Sequence, residues 1–338
     1  MIFVVGVLTE NSGKTTLVIA LMSILRDLGI RVSAFKPISG HSMWWQYSSY
    51  KMCLEYGNLF CEDAFKFWNI LRRSIPIEVI NPVDVLFSIP DINKTSPSLI
   101  ELFFKDEIYN WFAMGRFTIA EKEFKHIIYL KKDPSTPVIM PTDLLEIIKS
   151  RASEVIEVKS IQEYLDLHQK YCEKAIDSCY NYLSKVSDEI IVESFNDAVY
   201  PWRGVESSSI VLAVAPAHVL IYDPKSFFRV IKKFKNPYIR TYQDVFLFIR
   251  PLKILKLPTL TYSELLEENM IKDQKAVLMR ELVDQLKPRY KRLIELDKII
   301  AQAFEVKGRQ SKTVMNIYWQ MIKELGNELF ILIDCPLK

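Results

Sequence analysis

Glycine is scarce in this chain. Nine of 338 residues are glycine, where about 7% is usual, so each is expected where the backbone needs one. Four of them, Gly6, Gly13, Gly29 and Gly40, fall in the first 40 residues. Paired cysteines are missing too. Cys53, Cys61, Cys172, Cys179 and Cys335 form no C-x-x-C pair and leave an odd one over. That speaks against a zinc site and a disulfide framework, and points to reduced thiols in a cytoplasmic protein. Charge of one sign is absent: 44 Lys and Arg face 41 Asp and Glu, a net charge of +3. The strongly basic footprint of a nucleic-acid binder is therefore lacking, and the cluster Arg229, Lys232, Lys233 and Lys235 reads as a solvated helix face. No apolar run approaches the ~18 residues of a membrane span. The apolar stretch 1–8 lacks the basic flank and length of a signal peptide.

What is present is ordinary for a globular protein, with 49% hydrophobic and 25% charged residues. Residues 2–8 (IFVVGVL) form a continuous apolar run, as a strand covered on both faces does. Leu17, Ala20, Leu21, Ile24, Leu25 and Leu28 then recur at helical spacing over 14–28, and Gly29 stands where a helix stop favours glycine. Residues 30–35 read as a second strand, which completes a strand–helix–strand unit. The pattern predicts a helix over 161–184 and strands at 189–193, 209–215 and 245–250. Further helices are predicted over 223–234 and from about Ser263. The expected fold is α/β: a doubly wound, mostly parallel sheet over 1–95 and 160–275. Residues 96–159 read as a helix-rich insertion, with Phe103, Phe104, Tyr109, Trp111, Phe112 and Phe117 as core or a homodimer surface. Residues 276–338 read as a helical extension with a final strand at 329–333.

The strongest chemical signal is Gly13-Lys14-Thr15-Thr16, which follows a predicted strand and opens a predicted helix. In a phosphate-binding loop, backbone N–H groups and the helix N-terminus surround the phosphates, the lysine meets the outer ones, and the next hydroxyl ligates Mg²⁺. The strict pattern wants glycine at position 8, where Leu8 stands, and the nearest upstream glycine is Gly6. Glu10, Asn11, Ser12, Gly13, Lys14, Thr15 and Thr16 are thus the candidate nucleotide contacts. A second element, Lys36-Pro37-Ile38-Ser39-Gly40-His41, ends the second strand. There a lysine would face whatever the loop holds, and Ser39, Gly40 and His41 would hold a substrate anion. Trp44, Trp45 and Tyr47 follow as an aromatic cluster that reads as local core or as a stacking surface.

The spacing of these two elements resembles dethiobiotin synthetase, within a wider group of P-loop enzymes that includes the cobyrinic acid amidating synthases. Glu62-Asp63-Ala64 resembles that family's "S-D-A" stretch, Asn81-Pro82 its "V-N-P", and the run from Asp188 to Glu193 its "D-x-V-x-V-E-G-x-G-G" strand end. The resemblance covers about 1–93 and 160–260. It implies ATP and Mg²⁺ as cofactors, catalytic roles for Lys14 and Lys36, and metal ligation by Thr15, Asp63 and Glu193. It also makes Arg250 a nucleotide contact, because Arg250 falls near the family's adenine loop. Three departures stand out: Glu10 replaces a threonine, Ser194-Phe195-Asn196-Asp197 replaces a glycine-rich stretch, and the lysine motif is one residue shorter. The expectation is a nucleotide site kept and a substrate side rebuilt. The leading function is an ATP-dependent, ligase-like enzyme that activates a small acidic metabolite by phosphoryl transfer. The alternative is a nucleotide-driven switch ATPase acting on a protein or DNA partner.

Overall fold

The structure is a computed structural model that describes residues 1–27, 30–91, 93–94 and 111–256. Strand β1 (Ile2–Gly6) is buried on both faces, as its unbroken apolar run requires, and lies between two parallel neighbours. Helix α1 (Lys14–Asp27) leads to β2 (Val32–Phe35), yet β1 and β2 do not pair. Strand β8 (Glu189–Glu193) is inserted between them, parallel to both. On the other side β1 pairs in parallel with β9 (Ile210–Ala215). The sheet then turns antiparallel through β10 (His218–Tyr222) and β11 (Lys253–Lys256), giving the order β11-β10-β9-β1-β8-β2.

A second sheet begins where the chain leaves β2. After Lys36-Pro37 the backbone enters β3 (Ile38–Ser42), which pairs in parallel with β4 (Val83–Phe87) and not with the first sheet. Between them lie α2 (Tyr47–Tyr56), α3 (Glu62–Ile70) and the single turn α4 (Ile77–Ile80). Strands β5 (Phe112–Ala120) and β6 (Phe124–Lys131) extend this sheet as an antiparallel pair. Helix α5 (Thr142–Arg151) follows, and β7 (Glu154–Val158) pairs in parallel with β6, for the order β3-β4-β5-β6-β7. The long α6 (Ile161–Val186), capped by Ser160 accepting from the Glu163 N–H, packs against β5 and also touches β8.

The chain is thus an α/β protein with two mixed sheets, and this corrects three sequence expectations. The helix-rich insertion is, in its described part (111–159), mainly sheet. Its aromatics misled because β5 is covered on both faces and so shows no alternation: Phe112 and Phe117 pack on Tyr129, Tyr164 and His168 as core. Phe103, Phe104 and Tyr109 lie outside the described residues. The stretch 245–250 is no strand; α8 (Tyr242–Val245) runs into a 3₁₀ turn at Phe246–Phe248. The helix expected over 223–234 is the shorter α7 (Pro224–Ile231), with Asp223 as its N-cap. The helix expected from Ser263, the 276–338 extension, its final strand and Gly29 lie outside the described residues. Among the described residues no helix is long and apolar enough to cross a membrane.

Candidate functional site

The first sheet gathers its candidate side chains by register. Phe35 lies level with Val192, and Val4 with Glu193, so Lys36 and the loop after β1 both arrive at the Glu193 end of β8. That is the carboxyl edge of the parallel strands, where open α/β sheets place their crevice. The loop 7–13 is tied to the next strand by Val7 N–H donating to Val214 O at 2.8 Å. It is also closed on itself, because Ser12 Oγ donates to Leu8 O at 2.8 Å and accepts from Leu8 N–H at 3.2 Å. Asn11 and Gly13 take left-handed backbone, φ 55° and 90°, so the glycine at 13 is there for conformation as well as approach. A Cβ on Gly6 would stand 2.8 Å from Leu8 O, from Ser12 Oγ and from Lys14 Nζ. The Lys14 ammonium therefore folds back over this bare glycine, and Lys14 is only 8% exposed.

Around the first turn of α1 the charges converge. Thr15 Oγ1 donates to Asp63 Oδ1 at 2.9 Å and lies 3.4 Å from Glu193 Oε1. Lys36 Nζ sits 2.5 Å from Glu193 Oε1, 3.1 Å from Asp63 Oδ2 and 3.1 Å from Ser194 O. Burial by itself would discharge Lys36, but the two carboxylates overcome it and hold its pKa above the ordinary lysine value. Burial pushes the Glu193 carboxyl up against the pull of Lys36, while Asp63 stays below its usual range because Lys36 and Thr15 outweigh its own burial. Burial lowers Lys14, and the carboxylates of Glu193, Asp63 and Asp197 pull the other way. Sequence reasoning saw Asp197 only as a lost glycine; it is buried and adds its field to Lys14. Its signal was a carboxylate four residues past the strand end.

The donor set fits a small hard cation. Among the described residues no cluster of three or more His, Cys, Asp or Glu side chains gathers that could hold a metal. Two carboxylates and a hydroxyl are nevertheless what Mg²⁺ takes from a protein when phosphate and water supply the rest. Glu193 Oε2 is buried with no hydrogen-bond partner, an acceptor left open on the fully buried carboxylate of the set. Thr15, Asp63, Glu193, Lys14 and Lys36 are thus brought together as expected. Glu10 and Asn11 are exposed on the loop, and Thr16 is half-buried on α1.

Three expected contacts are placed elsewhere. Arg250 lies at the opposite end of the sheet. Strand β10 runs antiparallel to β9, so the chain returns to the level of Val211 by Tyr222, and Arg250 lines a shallow pocket with Tyr222 and Asp223 there. Ser39 and His41 point into the interior of the second sheet. Ser39 Oγ donates to Asn81 Oδ1 at 2.9 Å and to Asp84 Oδ1, and His41 Nδ1 is 3.0 Å from Asp84 Oδ2. Alternation along β3 leaves the backbone of Gly40 exposed between them, covered in part by Phe87. Trp44, Trp45 and Tyr47 are exposed, with Trp45 against Trp111 at a ring separation of 5.3 Å.

The buried His41–Asp84 pair predicts a pH effect. Burial would lower His41, but Asp84 reverses this and Cys53 adds to it, raising it from 6.5 to about 10. A histidine whose folded pKa is raised stabilises fully below its unfolded pKa and loses that contribution as pH climbs through the folded one. Urea midpoints are therefore expected to fall between about pH 6.5 and 10 in the wild type, and much less in His41→Gln. Equal slopes for the two proteins would refute the ion pair.

Comparison with known proteins adds one match. A family model described as the MJ0043 C-terminal domain matches residues 295–338, outside the described residues. No curated protein and no solved structure matches the chain.

Proposed function

We propose that the chain is a P-loop ATPase of doubly wound type that uses Mg-ATP to activate a small acidic metabolite by phosphoryl transfer. One observation carries this reading: Asp63 and Glu193 meet both the Thr15 hydroxyl and the Lys36 ammonium at the carboxyl edge of β2, β8 and β1, beside Gly13-Lys14. Thr15, Asp63 and Glu193 would hold Mg²⁺, which supplies charge neutralisation on the phosphates when bound. The loop N–H groups and the N-terminus of α1 offer donors and a favourable dipole to a nucleotide's phosphate chain. Lys14 and Lys36 place two ammonium groups where negative charge develops on a transferring phosphoryl group. Little covalent chemistry is asked of the protein, because such transfer is mostly positioning and electrostatics.

Calorimetry with ATP, with and without Mg²⁺, tests the binding, and a coupled ATPase assay over a panel of carboxylic metabolites tests the transfer. Turnover that no metabolite stimulates would sink the enzyme reading. Gly6→Ala gives an independent test. The added methyl would meet a backbone carbonyl as well as Lys14 Nζ, so ATP affinity is expected to drop at least tenfold in a protein that still melts cooperatively. Unchanged affinity in that variant would mean that Gly6 does not shape the nucleotide site.

A second reading, a nucleotide-driven switch acting on a protein or DNA partner, is favoured by the burial of Ser39 and His41. That burial leaves the expected substrate anion holders closed off. Light scattering of wild type and Lys14→Ala with and without ATP separates the two. An ATP-dependent change of mass in the wild type alone supports the switch; no change in either supports the enzyme.

A further inference from the structure

We propose that Asn81 and Arg116, both outside the cation cluster, are positioning residues that fix Lys36 and Asp63 against Glu193; this rests on the metal-holding role given to that cluster above. Lys36 and Asp63 come from different elements, the turn after β2 and the first turn of α3, and nothing within either element sets their separation. Asn81, fully buried, spans both. Its Nδ2 donates to Lys36 O at 3.0 Å and to Val83 O at 3.2 Å, and its Oδ1 accepts from Ser39 Oγ at 2.9 Å and from Cys61 N–H at 3.4 Å. One carboxamide thus uses two of its four hydrogen-bonding positions on the backbone of Lys36 and of the α3 N-cap, two residues before Asp63, and the other two on Val83 and Ser39. The Lys36 N–H is tied to the same corner, donating to Ile80 O at 2.8 Å.

Arg116 fixes the corner from the second sheet. It is 1% exposed on β5, and its Nη2 donates to both Leu59 O and Asn81 O at 2.7 Å, while Nη1 donates to Thr118 Oγ1. A buried cation is costly, and apolar side chains fill a core without that cost. What a guanidinium adds is a rigid fork able to bind two carbonyls at once. Here those carbonyls belong to the segment entering α3 and to the residue that holds Lys36. The second sheet thereby acts on the site through Arg116 and the Asn81 it holds, neither of which touches a reacting group.

The test uses the full chain. Hydrogen exchange is read at 36–39 and 59–63, and in parallel Mg²⁺ is titrated into the protein with ATP. In Asn81→Ala, exchange is expected to quicken at both segments and not at 210–215. The Mg²⁺ concentration for half-maximal tightening of ATP binding is expected to rise about tenfold, with Mg-free ATP affinity within about twofold of wild type. Arg116→Lys should shift both readouts the same way by less, and Asn81→Ser replaces Asn81→Ala if the latter shows no cooperative melt. Unchanged exchange in a folded variant overturns the proposal. So does an unaltered Mg²⁺ response, or an equal loss of Mg-free and Mg-bound affinity, which marks general loosening. If the wild type itself binds no ATP, the nucleotide reading fails, and the exchange result still decides the positioning claim.

Discussion

Lys14→Ala is expected to lower ATP turnover by about 10²- to 10³-fold, the loss seen when one preorganised donor to developing charge is removed. Lys14 is the residue best placed for such an effect. It opens α1 directly after the left-handed Gly13, and its ammonium lies over Gly6, where an added Cβ would force the loop or the ammonium to shift. It is 8% exposed, so its charge acts where water screens little. Burial lowers its pKa, and the nearby carboxylates Glu193, Asp63 and Asp197 counter that without a direct hydrogen bond to it. Arriving phosphate would meet a cation that need not first break an ion pair. Steady-state turnover with calorimetry checks this: the variant should lose binding as well as rate, while its melting temperature stays near wild type. Wild-type turnover in Lys14→Ala would remove the nucleotide reading of the loop altogether.

Glu193→Ala is expected to cost about 3–5 kcal/mol of folding stability, the penalty of breaking a buried ion pair by removing one partner. Glu193 is 0% exposed and Lys36 4%, and the two stand 2.5 Å apart. With Glu193 gone, Lys36 keeps the Ser194 carbonyl and one carboxylate, Asp63, at 3.1 Å each, and Asp63 is a third exposed. The buried ammonium would then lack most of what offsets its desolvation. The double variant Lys36→Met with Glu193→Leu should recover much of the loss, because it removes both charges together. Urea denaturation of the single and double variants measures the cycle. If Glu193→Ala loses less than about 1 kcal/mol, the pair is not the buried contact described, since only exposed pairs are worth so little. Measured without nucleotide or metal, this stability loss is read apart from any effect on the Mg²⁺ that Glu193 would hold.

Much of the site was legible in the chain because its parts are local. Gly13-Lys14-Thr15 announces a turn into a helix, and the apolar run ending in Glu193 announces a strand that delivers a carboxylate at its end. Asp63 was placed by resemblance alone, and its hydrogen bond with Thr15 spans 48 residues. The tie of Lys36 to Glu193 was not legible, because it depends on β8 entering between β1 and β2, a pairing of segments more than 150 residues apart. Arg250 failed for the same kind of reason. Its neighbours suggested a strand end, but the antiparallel turn after β9 carried it to the far edge of the sheet. Ser39 and His41 looked like an open substrate turn, yet the single residue Pro37 marks where the chain changes sheets, and β3 buries both side chains against Asp84.

The sequence alone determined those elements whose pattern is local and unbroken, β1, α1, α6 and β8. The scarce glycines at 6 and 13, the apolar run of β1, the spacing of α1 and the length of α6 are set by backbone strain, capping and side-chain period, all acting within a few residues. Only the tertiary structure decided which strands are neighbours, and so which charges meet. Strand pairing joins segments distant in the chain, and its register depends on which faces the rest of the fold covers. Two sheets in place of one, Lys36 held between Asp63 and Glu193, and the corner tied by Asn81 and Arg116 all follow from pairings of that kind.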